Sequence, residues 1–339
     1  MPATYRAVEI RAGGQLVLTE RPIPTPTEAE VLLAVEACGI CGADAADIDR
    51  ADPATRRVPG HEVVGRILAL GPGVPPRWQV GQRVGVGRLG GPCGQCDQCR
   101  RGRFNLCADQ PVTGSSRDGG YAERMLARAS GLVAIPDDLG SEEAAPILCA
   151  GLATFNALKS CGAEAGETVA IFGIGGLGHM AVQYARAMGF RTVAIGRGAE
   201  IAADALQLGA HRYIDTGAQD AAAELAQMGG AQAILATPVA AAPTAALLPG
   251  LAPGGRLVLL GVGRDPLAVS MGALVGGERG VIGSLTGSPH DNERTLDFSL
   301  LTGARPWIET LPLEQSAEAV TRMRSGQARF RMVLKMAGE

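Results

Sequence analysis

The stretch Thr168-Val169-Ala170-Ile171-Phe172-Gly173-Ile174-Gly175-Gly176-Leu177-Gly178 decides the fold. Its first five residues form a short run of β-branched, small and aromatic type, the pattern of a strand buried on both faces. The last six read Gly-x-Gly-x-x-Gly, and an amphipathic helix pattern continues from Leu177 to Met188. Between a strand and a helix each glycine has a physical role. Gly173 permits the tight turn, Gly175 lets the backbone approach a pyrophosphate, and Gly178 allows close packing of helix on strand. Gly176 and Leu177 complete the loop, and the helix N-terminus faces the phosphates.

Outward from that loop toward the C-terminus, strand and helix patterns alternate. Arg191–Ile195 reads as a strand, Ile201–Leu208 as a helix, and Ala231–Ala236 and Arg256–Leu260 as further strands. This alternation predicts βαβ units, hence an α/β, doubly wound parallel sheet of Rossmann type. Gly196-Arg197-Gly198 follows the second strand, where an NAD site carries Asp or Glu for the ribose 2′-hydroxyl. The carboxylate is missing, and Arg197 would attract a 2′-phosphate, so NADP(H) is the preferred cofactor and NAD(H) the alternative.

Toward the N-terminus, from Tyr5 to about Leu148, short apolar segments such as Val31–Val35, Val63–Leu68 and Val80–Val86 are broken by Gly and Pro. They predict an irregular β-rich domain with long loops. The closing segment, Pro312–Ala337, combines a helix-like stretch with a short strand, Phe330–Met336, and returns to this first domain. A chain of 339 residues exceeds what one core usually supports. A net charge of −3 argues against a nucleic-acid partner. The first ten residues carry no apolar targeting core, and no apolar run is long enough to span a membrane, so the expectation is a cytoplasmic protein. In that setting eight cysteines point to metal binding or free thiols before disulfides.

Cys93-x-x-Cys96-x-x-Cys99 with Cys107 places four soft ligands on one short Gly-rich excursion, the composition of a closed tetrahedral zinc site. An iron–sulfur cluster is the competing metal reading. Cys41, the pair His61-Glu62 and Cys149 are dispersed, and spacing alone does not unite them. Each has a simpler explanation: a small core residue at Cys149, a turn histidine at His61, a free thiol at Cys41 like Cys38 or Cys161.

Taken in order, Cys41-Gly42-Ala43-Asp44, Gly60-His61-Glu62, the four-cysteine lobe, Leu148-Cys149-Ala150-Gly151 and the glycine loop resemble the zinc-containing medium-chain dehydrogenase/reductase family. The similarity covers essentially the whole chain and is nearest to the cinnamyl-alcohol-dehydrogenase-like branch. The resemblance implies a GroES-like catalytic domain over 1–150 and 286–339, with a structural-zinc lobe at about 91–108, and a Rossmann domain over 151–285. It implies two zinc ions per chain, the catalytic one on Cys41, His61 and Cys149, the structural one on Cys93, Cys96, Cys99 and Cys107. Asp44 matches the carboxylate that orients the ligand histidine, and Glu62 the acid beside the metal. Arg331 matches an arginine that pairs with that acid near the cofactor. A homodimer or homotetramer acting on a small-molecule substrate is implied as well.

The implied reaction interconverts an alcohol and an aldehyde or ketone by hydride transfer. Two departures touch its proton. The family's Ser or Thr two residues after the first ligand is Ala43, and the His three residues further on is Ala46. The Thr expected near the third ligand is Ala153, with Thr154 following. Asp47, or Glu62 with water, are the substitutes within reach. The alternative is reduction of a conjugated C=C or of an imine or iminium bond, which does not need that relay. A non-catalytic NADPH-binding protein on the same scaffold is the second alternative. Arg88, if turned inward, favours an anionic or strongly polar substrate.

Overall fold

The computed structural model describes residues 4–337. In chain order the strands are β1 (Thr4–Ile10), β2 (Leu16–Pro22), β3 (Glu30–Ile40), β4 (Glu62–Leu70), β5 (Arg83–Val86), β6 (Arg124–Arg128), β7 (Leu132–Ala134), β8 (Thr168–Phe172), β9 (Arg191–Gly196), β10 (Arg212–Asp215), β11 (Ala231–Ala236), β12 (Leu251–Leu259), β13 (Gly280–Gly283), β14 (Ile308–Pro312) and β15 (Arg331–Lys335). The chain divides into two compact units: one runs to Cys149 and resumes at Gly287, the other is Ala150–Thr286.

In the second unit six strands lie in the order β10-β9-β8-β11-β12-β13, every neighbour parallel. All five residues of β8 are buried, as a central parallel strand covered on both faces requires. From β8 the chain builds outward through β9 and β10, then returns to the other side for β11. That reversal puts the topological switch point at the carboxyl end of β8, where a doubly wound sheet binds its ligand. The helix Gly178–Ala187 buries Met180, Ala181, Val182, Tyr184 and Ala185.

The fourth strand anticipated from the sequence begins at Leu251, five residues before Arg256, and its pairing with β11 shifts register between Ala231 and Ala233. Strands β10 and β13 were not anticipated. The first is four residues with Arg212 and Asp215 at its ends, the second has glycine at both ends, and in each the strand-forming residues number only two, Tyr213-Ile214 and Val281-Ile282, too few to show a period.

The first unit is built on the sheet β14-β15-β3-β4-β5-β7, with β6 also paired to β3 and a separate β1–β2 hairpin. Strand β15 lies antiparallel to β3, so the C-terminal segment closes this sheet rather than the parallel one. The core gathers Val31, Leu33, Val35, Ile40, Val63, Ile67, Val84, Met332 and Leu334 from these strands. One expected segment is corrected: Val80 is 63% exposed, and the strand begins only at Arg83. Gly81, at φ +87°, donates its N–H to Ile67 O and turns the chain there. Among the described residues no helix is long and apolar enough to cross a membrane.

Candidate functional site

Three folding events bring the dispersed residues together. Cys41 follows the last residue of β3 and precedes the helix Gly42–Arg50. His61 and Glu62 enter β4, whose register places Glu62 beside Gly39 of β3. Cys149 lies on a π-helical turn, Ile147–Gly151, a local distortion that recurs at functional sites. One ligand atom each from Cys41, His61, Glu62 and Cys149 lies within 4.8 Å of all the others, and all four residues are buried. Two thiolates on one tetrahedral zinc stand about 3.8 Å apart, and a thiolate and imidazole nitrogen about 3.5 Å. Here Cys41 Sγ and Cys149 Sγ are 3.9 Å apart, and His61 Nε2 is 3.3 Å from Cys149 Sγ. The donor set and its spacing therefore fit zinc.

The surroundings fix these donors. Asp44 Oδ1 accepts from His61 Nδ1 at 2.5 Å, which leaves Nε2 pointing at the thiols. Asp44 Oδ2 accepts the Cys41 backbone N–H at 2.9 Å and the Tyr121 hydroxyl at 3.3 Å. Tyr121 was not identified from sequence, and nothing in its local pattern marks it. It is fully buried, and its ring packs so closely on the turn before His61 that a Cβ at Gly60 would stand 2.3 Å from it. Glu62 is held by Arg331, whose Nη2 donates to both carboxylate oxygens, with Glu62 fully buried and Arg331 3% exposed. Breaking a buried pair of this kind by removing one partner costs about 3–5 kcal/mol.

The electrostatics ask for a cation. Burial disfavours a charged imidazolium, yet Asp44 and Cys41 outweigh it and push His61 up to about 10. Burial, only partly offset by Arg331, raises Glu62 to about 7. The hydrogen bond from Cys149, with His61 beside it, holds Cys41 well below the ordinary thiol range.

Cys93, Cys96, Cys99 and Cys107 form the second cluster, again with sulfurs within 4.8 Å of one another. Backbone N–H groups of Cys93 and Asp109 donate to Cys107 Sγ, and that of Cys96 to Cys93 Sγ. Such donors stabilise thiolates, and the set of four sulfurs leaves no position for a substrate.

A proton route along the expected positions is absent. Ala43 and Ala46 offer no polar side-chain atom. Asp47 is buried with both oxygens engaged: Arg88 Nη1 donates to Oδ2 at 2.6 Å and Nη2 to Oδ1 at 3.3 Å. Thr154 is also fully committed, its hydroxyl donating to Ala150 O at 2.7 Å. Arg88, two residues past the end of β5, does turn inward, its side chain only 22% exposed and paired with the buried Asp47. Its charge is spent on Asp47, however. The pair lines a polar cavity of about 500 Å³ with Arg50, Thr55, Arg57 and Ser115.

In the second unit the glycine loop has the shape its sequence requires. Gly173 has φ +85°, a Cβ at Gly178 would lie 1.9 Å from Gly173 O, and at Gly175 nothing stands within 4 Å. The first two observations explain the glycines structurally, and the third leaves open backbone of the kind a pyrophosphate approaches. Gly196 ends β9, and Arg197 is exposed beyond it.

Two family models match the chain: the alcohol dehydrogenase GroES-like domain over residues 27–137 and the zinc-binding dehydrogenase domain over residues 176–300. A protein described as an alcohol dehydrogenase of Geobacillus stearothermophilus is 42% identical over 317 residues, covering 92% of this chain and 94% of the relative. Alcohol dehydrogenase notN of Aspergillus sp. (strain MF297-2) is 40% identical over 338 residues, 99% of each chain. Among solved structures, acetophenone reductase from Geotrichum candidum in complex with NAD superposes with a TM-score of 0.88 at 28% identity, covering 99% of this chain and 98% of that one.

Proposed function

The chain belongs to the zinc-containing medium-chain alcohol dehydrogenase family, and on that premise we propose that it interconverts an alcohol and an aldehyde or ketone with NADP(H), NAD(H) being the second choice. Cys41, His61 and Cys149 would hold the catalytic zinc, and Cys93, Cys96, Cys99 and Cys107 the structural one. The observation that carries this reading is the convergence of three soft or borderline donors, buried and spaced for one tetrahedral metal. When bound, the metal polarises a carbonyl oxygen and the nicotinamide supplies or takes the hydride.

The chain's own residues supply orientation and charge. Asp44, fixed by the Cys41 amide and Tyr121, locks the His61 ring. Arg331 keeps Glu62 in place at the edge of the donor set. Gly173, Gly175, Gly176, Leu177 and Gly178 would receive the pyrophosphate, and Gly196 with Arg197 the adenosine ribose. Alcohol chemistry must also move a proton, and here Ala43, Ala46 and the engaged oxygens of Asp47 leave that to ordered water, with Glu62 able to take part only by loosening its bonds from Arg331.

The same observation supports a second reading, reduction of a conjugated C=C or of an imine or iminium bond. Oxidation of NADPH and NADH in the presence of simple aldehydes, enals and cyclic imines separates the two. Aldehyde turnover at least tenfold above the others is expected from the first reading. Activity confined to enals or imines would replace it by the second. The fully assembled donor set speaks against a non-catalytic role, which would stand only if none of these substrates were turned over.

A further inference from the structure

The loop Gly196-Arg197-Gly198, which leaves β9, is tied down by the end of β10. The Tyr213 hydroxyl donates to Gly198 O at 2.8 Å, and both the N–H and the hydroxyl of Thr216 donate to Gly196 O at 2.9 Å. Asp215, which pairs with Gly196 in the β9–β10 register, accepts the Gly198 N–H on Oδ1 at 2.8 Å, and the Gly217 N–H on the same oxygen at 2.8 Å. A carboxylate is therefore present beside this loop, but it comes from the neighbouring strand rather than from the end of β9, where the sequence pattern looks for it. The Gly198 and Gly217 amides, with Arg197 nearby, hold Asp215 below the usual carboxylate range, so it is ionised at neutral pH. Glu200 adds a second acid: a Cβ at Gly198 would stand 2.6 Å from its Oε1.

Arg197 thus shares its loop with two carboxylates. A 2′-phosphate arriving at the loop meets attraction from one guanidinium and repulsion from both acids, whereas a 2′-hydroxyl meets no such penalty and gains acceptors. We infer that Asp215 is a specificity-determining residue for the cofactor, a carboxylate borrowed from β10 that restrains the NADP(H) preference set by Arg197 and keeps NAD(H) usable. The inference rests on the proposed nucleotide site in the Gly173–Gly178 and Gly196–Gly198 loops.

Asp215→Asn separates charge from structure, because the amide oxygen still accepts the Gly198 and Gly217 N–H groups. Dissociation constants for NADPH and NADH are measured by calorimetry on the zinc-loaded wild type and variant, at low and at physiological salt. The expected result is a Kd(NADH)/Kd(NADPH) ratio about threefold to tenfold higher in the variant, through tighter NADPH binding, with the gain shrinking as salt rises. Asp215→Ser, which also removes the charge, is the second arm and must move the ratio the same way. An unchanged ratio, or a parallel loss of affinity for both nucleotides, would overturn the inference and leave Asp215 as a loop anchor only. Absence of binding of either nucleotide to the wild type would instead remove the underlying reading of the site.

Discussion

The two cysteine-bearing clusters are assembled in opposite ways. The lobe draws four sulfurs from residues 93–107, on a segment whose other residues are mostly exposed, and its backbone amides point at its own thiols. The Cys41, His61 and Cys149 cluster draws on residues 108 positions apart, is buried, and has its donors aimed by Asp44, itself held by Tyr121, with the Glu62–Arg331 pair beside them. A closed site of local ligands acts as a clamp on its own loop. A site of distant ligands is coupled to the whole core of its unit, and its chemistry depends on neighbours that never touch the metal.

Substitutions in the two clusters should therefore fail differently. His61→Ala is expected to lower NADPH-dependent turnover by at least about a thousandfold, since it removes Lewis-acid assistance worth several kcal/mol, while the bound zinc falls from two ions per chain to one. Retention of activity would dissolve the distinction between the clusters. Cys99→Ser should also lose one ion, but with turnover per folded chain within about threefold of wild type and a thermal midpoint lowered by about 6–12 °C. A thousandfold loss of turnover here would make the lobe catalytic.

Smaller effects sharpen the contrast. Asp44→Asn keeps the size of the side chain but weakens the hold on His61, so chelator competition should show a 10- to 100-fold weaker catalytic zinc, to order of magnitude about that of other ligand-orienting residues, with the lobe ion unaffected. Equal weakening of both ions would contradict the assignment. Ala43→Thr restores a hydroxyl near the substrate proton, and aldehyde turnover should rise by no more than about tenfold, because Ala46 still interrupts the path. A fall in aldehyde turnover with enal reduction intact would favour the second functional reading.

The same contrast explains what could be read from the sequence. Strand β8, its glycine loop and the following helix were legible because strand burial, turn and helix period all lie within a continuous stretch. The lobe was legible from spacing for the same reason. Cys41, His61 and Cys149 gave no such signal, and only resemblance to a family joined them. Local pattern also misled at Val80, whose apolar side chain belongs to a turn. Contacts between distant residues stayed invisible: the Tyr121 hydroxyl on Asp44, the Arg88 pair that occupies Asp47, and Asp215 holding the loop after β9.

On the proposed reading, hydride transfer requires a zinc at the buried Cys41, His61 and Cys149 cluster, in addition to the one in the lobe. Zinc titrated back into chelator-treated wild-type protein, with aldehyde-dependent NADPH oxidation followed in parallel, measures both at once. Two ions bound per chain, with no turnover until the buried cluster is filled, are the expected result. A single bound ion at saturation, or full turnover in the metal-free protein, would contradict it.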